Sequence, residues 1–584
     1  MHKIKHNLYF LLLIIFPILG TQLVGCATYG SGVDKALKAA QQGDYIKAEQ
    51  DMSDALSPVG SDRLLYFVEM AVLKHLQRDY VESNRLLTLA EKTSEELEIT
   101  SVSDSLTAFM TNPRMGDYTG ADFEKVFINY YKAMNYIAIS NIAATRNERL
   151  DAIENARIES RRLGIRLNAL NSDKGTYSEQ KVKDGEMFTQ LLDVFDMLIG
   201  NSIDHDKLLY RDDAMAHYLT GITYEKNGEY DDARISYQKA ATSYEEGFAE
   251  QFDLGSDMTA QAWFDTVRMM RKAGGYSNEW PRLAEKKLTT TQRDQLREFD
   301  GKSQVVVIEH VGMVPQRKEM NVNLSANPET HSLILRPYAL GSAKQNQEKL
   351  AWFYLVYADK SLVNLMIHYR NNDFMNFLLN NFQKTIYLLG AWNTAQELGL
   401  INAIAGGMRI TVPYYSPLHD KPGPSFVRVD KKQYNMAPAS SPAVMGINEQ
   451  ILNANDDIRL ALTRGIFKAI TAQKTAELVG GQFGGILAQI GQVASQLTDA
   501  AETRNWLMLP HEIRITRIPL SSGSYTLDIN SQVLKAKAPI KQSQQVVLQE
   551  NEIQVVQVRS MPHLKKVSTL PLLNKKLKSV ALTE

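Results

Sequence analysis

The chain has 584 residues, enough for two or more domains. An apolar fraction of 44% and a charged fraction of 22% exclude a disordered chain, and 65 basic against 66 acidic residues argue against a nucleic-acid groove or a polybasic membrane patch. The single cysteine, Cys26, excludes disulfides and multi-cysteine metal sites. In chain order, Lys3 and Lys5 come first as a basic n-region. Residues 8–19 follow as an apolar h-region too short to span a bilayer. Thr21-Gln22 break it, and the stretch closes on Leu23, Val24, Gly25 and Cys26.

That four-residue box resembles the lipobox of bacterial lipoproteins. The resemblance implies that residues 1–25 are a signal peptide, that the Cys26 thiol takes a diacylglycerol, and that the new amine is acylated. Ala27 follows the cysteine where an aspartate would imply inner-membrane retention. The expected address is therefore the outer membrane, facing the periplasm, with the covalent lipid as the only non-protein group. Residues 26–33 are expected to be a short tether ahead of the first helix.

A repeat follows. Gly43, Tyr45 and Ala48 precede Met52 and Ala55; Arg78, Tyr80 and Ser83 precede Leu87 and Ala90; Gly228, Tyr230 and Ala233 precede Tyr237 and Ala240. The offsets agree in all three, and they put the aromatic, small and apolar positions on one helical face. This resembles the second half of a tetratricopeptide repeat (TPR). Gly221 and Tyr224 fill the small and aromatic positions of the first helix in the third copy, and Ala36 the small position in the first copy. The third copy departs at its end, where Glu245 replaces the usual proline. Residues 122–170 also read as a helix pair, residues 171–184 as an exposed loop, and helices resume from 187 to about 299. The expectation for 34–299 is an all-α, TPR-like solenoid whose inner face takes a partner, the alternative being a platform that positions the second half.

Composition changes at Gly301. Residues 304–309, 332–336, 408–413, 425–429, 512–517 and 524–529 read as strands, and 545–558 as a hairpin turning at Glu550-Asn551. The strands are separated by helices, so 301–540 is expected to be an α+β domain with inserted helices rather than a sandwich, and 541–584 a C-terminal hairpin and tail. Residues 347–400 are rich in aromatics and leucine and read as buried or partner-covered. Residues 451–505 carry Gly480, Gly481, Gly484 and Gly485, which suit a hinge or close helix contact better than membrane insertion, since Gln482 and Gln489 interrupt the apolar run.

No His-Glu-x-x-His, nucleophile elbow or phosphate-binding loop is present. Neighbouring residues on a strand point to opposite faces, so neither Glu309-His310 nor His511-Glu512 makes an acid–base pair. Trp506 reads as a core anchor with a buried arginine partner. Four blocks resemble a group of large TPR-containing lipoproteins of Gram-negative bacteria: 118–136, 305–310 with Gly312 and Pro315, 408–413, and Thr503 to Trp506 with Leu509-Pro510 and 512–514. Genes of that group tend to sit beside a smaller lipoprotein resembling activators of penicillin-binding proteins. The resemblance implies a role in wall synthesis or envelope assembly. The expectation is a non-enzymatic, lipid-anchored scaffold with a periplasmic or outer-membrane protein partner, which could be another lipoprotein. One alternative is a regulator of peptidoglycan synthesis contacting a penicillin-binding protein. The other is an enzyme acting on peptidoglycan or lipid through an unrecognised site.

Overall fold

The computed structural model describes residues 29–100, 113–172, 213–338, 341–357, 383–416, 422–479 and 500–563. Cys26 and its box, residues 173–184 of the expected loop and Gly480 to Gly485 lie outside them, while Asn171 and Ser172 belong to a helix rather than to that loop. Among the described residues the chain is all-α up to Phe299 and α+β beyond it.

After a single turn at Tyr29–Gly32, the helices are α1 (Asp34–Gln41), α2 (Tyr45–Ala55), α3 (Arg63–Leu76), α4 (Tyr80–Thr100), α5 (Asp122–Ile142), α6 (Arg146–Ser172), α7 (Ala214–Asn227), α8 (Tyr230–Ser243), α9 (Asp257–Ala273) and α10 (Trp280–Lys287). Each packs against the next in chain order. The turns between α1 and α2, α3 and α4, and α7 and α8 are the same object. Gly43, Arg78 and Gly228 have φ of 82°, 65° and 82°. The next backbone N–H in each turn reaches back five residues: Asp44 to Ala39 O at 3.1 Å, Asp79 to Lys74 O at 2.9 Å, and Glu229 to Tyr224 O at 3.0 Å. A left-handed residue closing the last helical turn in this way leaves no orphan carbonyl there.

Most residues of the repeat pattern are buried, but Ala55 of the first copy is exposed at the end of α2. Ala48, Ser83, Ala233, Tyr237 and Ala240 are fully buried, Tyr224 is buried, and Tyr45, Tyr80 and Tyr230 are half-buried. Ser83 Oγ donates to Ala71 O at 2.7 Å, which ties α4 to α3. Gly221 has no room for a side chain, because a Cβ there would stand 2.6 Å from the Tyr237 ring.

The second half has twelve described strands in three four-stranded sheets. They are β1 (Ser303–Val311), β2 (Arg317–Asn327), β3 (Ser332–Pro337), β4 (Lys384–Tyr387), β5 (Met408–Tyr415), β6 (Ser425–Val429), β7 (Lys432–Asn435), β8 (Ala437–Ser440), β9 (Glu512–Leu520), β10 (Gly523–Ser531), β11 (Ile540–Leu548) and β12 (Ile553–Ser560). The first sheet runs β12-β1-β9-β8, the second β11-β10-β6-β7 and the third β4-β3-β2-β5. The third sheet buries Met320, Val322 and Leu324 with Phe353 of a helix α11 (Ala343–Val356) and Leu462 and Ile466 of a long helix α12 (Pro442–Val479).

Three sequence expectations change. The α+β class stands, but the first two sheets face each other around Val305, Val307, Val427, Ile518, Leu527 and Val546, so a sandwich lies inside it. Residues 545–558 are not a hairpin. The chain does turn near Asn551, at φ 56°, but β11 pairs with β10 in the second sheet while β12 runs parallel to β1 in the first. Residues 541–560 thus complete both sheets rather than forming a C-terminal appendage. The tether is shorter than expected, since Tyr29–Gly32 is already a helical turn packed on the core.

Candidate functional site

The strand β1 is apolar on both faces, and the structure shows why. Val305 and Val307 fill the sandwich, whereas Val306 and Ile308 turn to the helices and join their core together with Ile513, Ile515, Ile553 and Val555. The first sheet therefore lies against the helical row. The sheet and the loops flanking it are contacted mainly by α1, α3, α5 and α7, the leading helix of each pair, and by α9, while α8 adds Tyr237 against Arg517 of β9. Gln41 Nε2 reaches Met313 Sδ at 3.8 Å. Glu69 accepts from Leu507 N at 2.7 Å and Met508 N at 3.0 Å, and Glu124 from Trp506 N at 2.8 Å. Tyr130 OH meets His310 Nε2 at 2.8 Å. In the reverse direction, Glu449 of α12 accepts from Asp122 N at 2.9 Å and Phe123 N at 3.2 Å, capping α5.

The helical row also closes an exposed sheet edge. An open edge strand invites pairing with another chain unless its backbone groups are covered. On β12, Lys226 Nζ donates to Ile553 O at 2.9 Å and Asn141 Nδ2 to Val555 O at 2.8 Å, and Gln542 of β11 adds a bond from Nε2 to Arg559 O at 3.1 Å. Burial pushes the Lys226 amine down to about 8.

At the centre of the joint is a charge-balanced, fully buried network. Arg517 of β9 donates to Glu225 Oε2 at 2.9 Å, Gln304 Oε1 at 2.7 Å and Tyr237 OH at 2.7 Å. Arg268 donates to both Glu225 oxygens and, through Nε, to Asp265 Oδ1 at 3.0 Å. Tyr218 OH completes Asp265 Oδ2 at 2.5 Å. Burial alone would push the Glu225 carboxyl up, but Arg268 and Arg517 hold it well below the usual carboxylate range. Two carboxylates against two guanidiniums, each hydrogen-bonded on several sides, is what makes such burial tolerable.

The segment from Thr503 to Leu509 is the hub of the joint, hydrogen-bonded to Asp62, Glu69, Pro113, Gly116 and Glu124 on the helical side. Trp506 is 1% exposed, with its ring 5.8 Å from that of Tyr131. The buried arginine nearby is Arg504, but it stacks on Tyr118 at 5.5 Å and pairs with Asp62 at 2.8 Å rather than with the indole. Glu309 and His310 point to opposite faces. Glu309 Oε1 accepts from Ser531 Oγ and Ser560 Oγ inside the sandwich, while His310 faces Tyr130. Among the described residues no group of three or more His, Cys, Asp or Glu is placed to hold a metal, and no helix is long and apolar enough to cross a membrane.

Two histidines are buried in the joint, His75 against Asn135 at 2.6 Å and His310 with its ring 6.3 Å away. Burial pushes His75 down to about 4, with Arg559 adding to the effect and Asn135 opposing it, and burial with Arg559 pushes His310 well below its usual value. A depressed histidine stabilises above the unfolded value of 6.5 and loses that contribution as pH falls toward the folded one. Glu69 has the opposite sign. Burial pushes it up to about 8 against the pull of Leu507 N and Met508 N, so its contribution is present below 4.5 and lost as pH rises through 8. His75→Gln keeps an acceptor and donor for Asn135 but cannot charge. The parent should therefore lose stability relative to this variant below pH 6.5, at up to ~1.4 kcal/mol per pH unit, as read by melts in a pH series.

Compared with family models, with curated proteins and with solved structures, the chain matches none.

Proposed function

We propose that this chain is an outer-membrane lipoprotein, anchored through Cys26, that acts as a non-enzymatic TPR-like scaffold in an envelope complex. The lipobox supports the anchor, and the three identical interhelix turns with their shared small and aromatic positions support the repeat. The observation that carries the rest is the occupation of the leading helices by the chain's own first sheet. That row is the surface such repeats would offer to a partner, so the docking surface belongs on the outward helices. Those helices display aliphatic side chains in solvent: Ile46 is 77% exposed, Val81 54% and Ile235 40%. Glu309 and His310 are each spent on a structural partner, which supports a binding role for this half over an acid–base one. A wall-synthesis regulator differs from this proposal only in who the partner is.

The test is a photo-crosslinking residue placed at 46, 81 or 235 in the full chain, with adducts collected from intact envelopes. A discrete protein adduct at one or more of these positions is expected, and its identity separates a penicillin-binding protein from another lipoprotein. If no position gives an adduct while the variants complement a deletion strain, the outward row is not the docking surface.

A further inference from the structure

The chain is keyed into the joint as soon as its described part begins. Tyr29 OH donates to Glu69 Oε1 at 3.1 Å, the same oxygen that accepts from Leu507 N. Val33 N closes the first turn on Tyr29 O at 3.2 Å, and the Val33 side chain is 1% exposed. Gly30 is buried against Gln316, whose side chain a Cβ at residue 30 would meet at 2.5 Å. The helical half, through Glu69, and the second half, through Gln316, therefore both hold residues 29–33.

Only Ala27 and Thr28 separate Cys26 from this seat. Three peptide steps span at most ~10 Å, whatever path they take.

We propose that the face of the joint around Tyr29 lies against the lipid bilayer in a fixed orientation, the lipid surface being its occupant. This rests on the lipoprotein reading of Cys26. A module on a long flexible linker samples every orientation over the membrane. Here the acylated residue and a residue buried between both halves cannot separate by more than a few covalent bonds, and several acyl chains keep the former at the interface. Gly32 and Lys35 are exposed beside the seat, and Lys35 can offer its ammonium to anionic headgroups, while Val33, Ala36 and Leu37 turn inward. The far end of the helix row, α7 to α9, stands several helix-packing distances of roughly 8–10 Å each from the anchored end, and in the proposed orientation it is the part held off the surface. Anchor and joint are thus mechanically one element, and outward helices such as α8 are presented to the aqueous space.

Acylation blocks the Cys26 thiol, so Lys35→Cys or Lys239→Cys in the full-length lipoprotein introduces the only free thiol in the chain. Each variant is labelled with a fluorophore and reconstituted into vesicles of phosphatidylethanolamine and phosphatidylglycerol containing a nitroxide-headgroup lipid. Quenching several-fold stronger at 35 than at 239 is expected. Equal quenching on protein shown by mass spectrometry to be acylated at Cys26 overturns the fixed orientation and leaves the anchor standing. A Cys26 without acyl chains in protein taken from envelopes overturns the lipoprotein reading, and the inference with it.

Discussion

Arg517→Ala should destabilise the whole chain by ~3–5 kcal/mol, the usual consequence of removing one partner from a buried ion pair. The guanidinium is fully buried and serves Glu225, Gln304 and Tyr237 at once, with Asp265 Oδ1 3.4 Å from its Nε. Alanine would leave a net negative charge and an unpaired Gln304 carbonyl where water does not reach. Chemical denaturation followed by both tryptophan fluorescence and far-UV circular dichroism would read the effect. One transition shifted in both signals is expected, because the residue links β9 to α7, α8 and α9. A shift confined to one signal would mean that the halves unfold separately.

Ala233→Arg should come close to that effect. Ala233 is fully buried on α8, one turn before Tyr237, whose ring presses against Gly221 of α7. Overpacking of this kind costs ~1–3 kcal/mol, and an unpaired buried charge adds several more. The Tyr237 ring has little freedom to retreat, since its hydroxyl donates to Glu225 at 2.9 Å and accepts from Arg517. A melting temperature equal to the parent's would place Ala233 on the surface and break the assignment of the repeat.

Elements with a clean period were legible in the sequence, and those defined by long-range contacts were not. The strand at 425–429 and the apolar run from 304 were readable because β-branched residues alternate or cluster between turn residues. β2 carries the same alternation in Met320, Val322 and Leu324, but the polar residues between them, Asn321 and Asn323, hid it. β8 contains Pro438, which reads as a strand breaker until its place at the sheet edge is known. The hairpin expected at 545–558 failed for a topological reason: alternation shows that two strands flank a turn, not that they pair with each other.

The joint is the feature the sequence concealed most. Its glutamates sit on helices where a carboxylate ordinarily marks the solvent face. Glu69 interrupts an otherwise apolar run in α3, and that interruption was the one available signal that a polar group was needed inside. Its partners, Leu507 and Met508, lie more than 400 residues away in the chain, at a separation no local pattern encodes. The Glu225–Arg517 contact is likewise 292 residues long-range. The sequence therefore suggested a partner-binding helical face without showing that the chain's own first sheet lies against the leading helices.

The most direct test is to separate the halves. Residues 26–300 and 301–584 can be expressed as two chains, together and apart, without the lipid anchor. With the leading helices filled by the first sheet, neither chain should be stably folded alone. Together they should copurify one to one and melt cooperatively near the temperature of the intact protein. A helical half that is monomeric by itself, and that melts where the full chain does, would contradict the account and return the row of leading helices to the solvent as an open binding face.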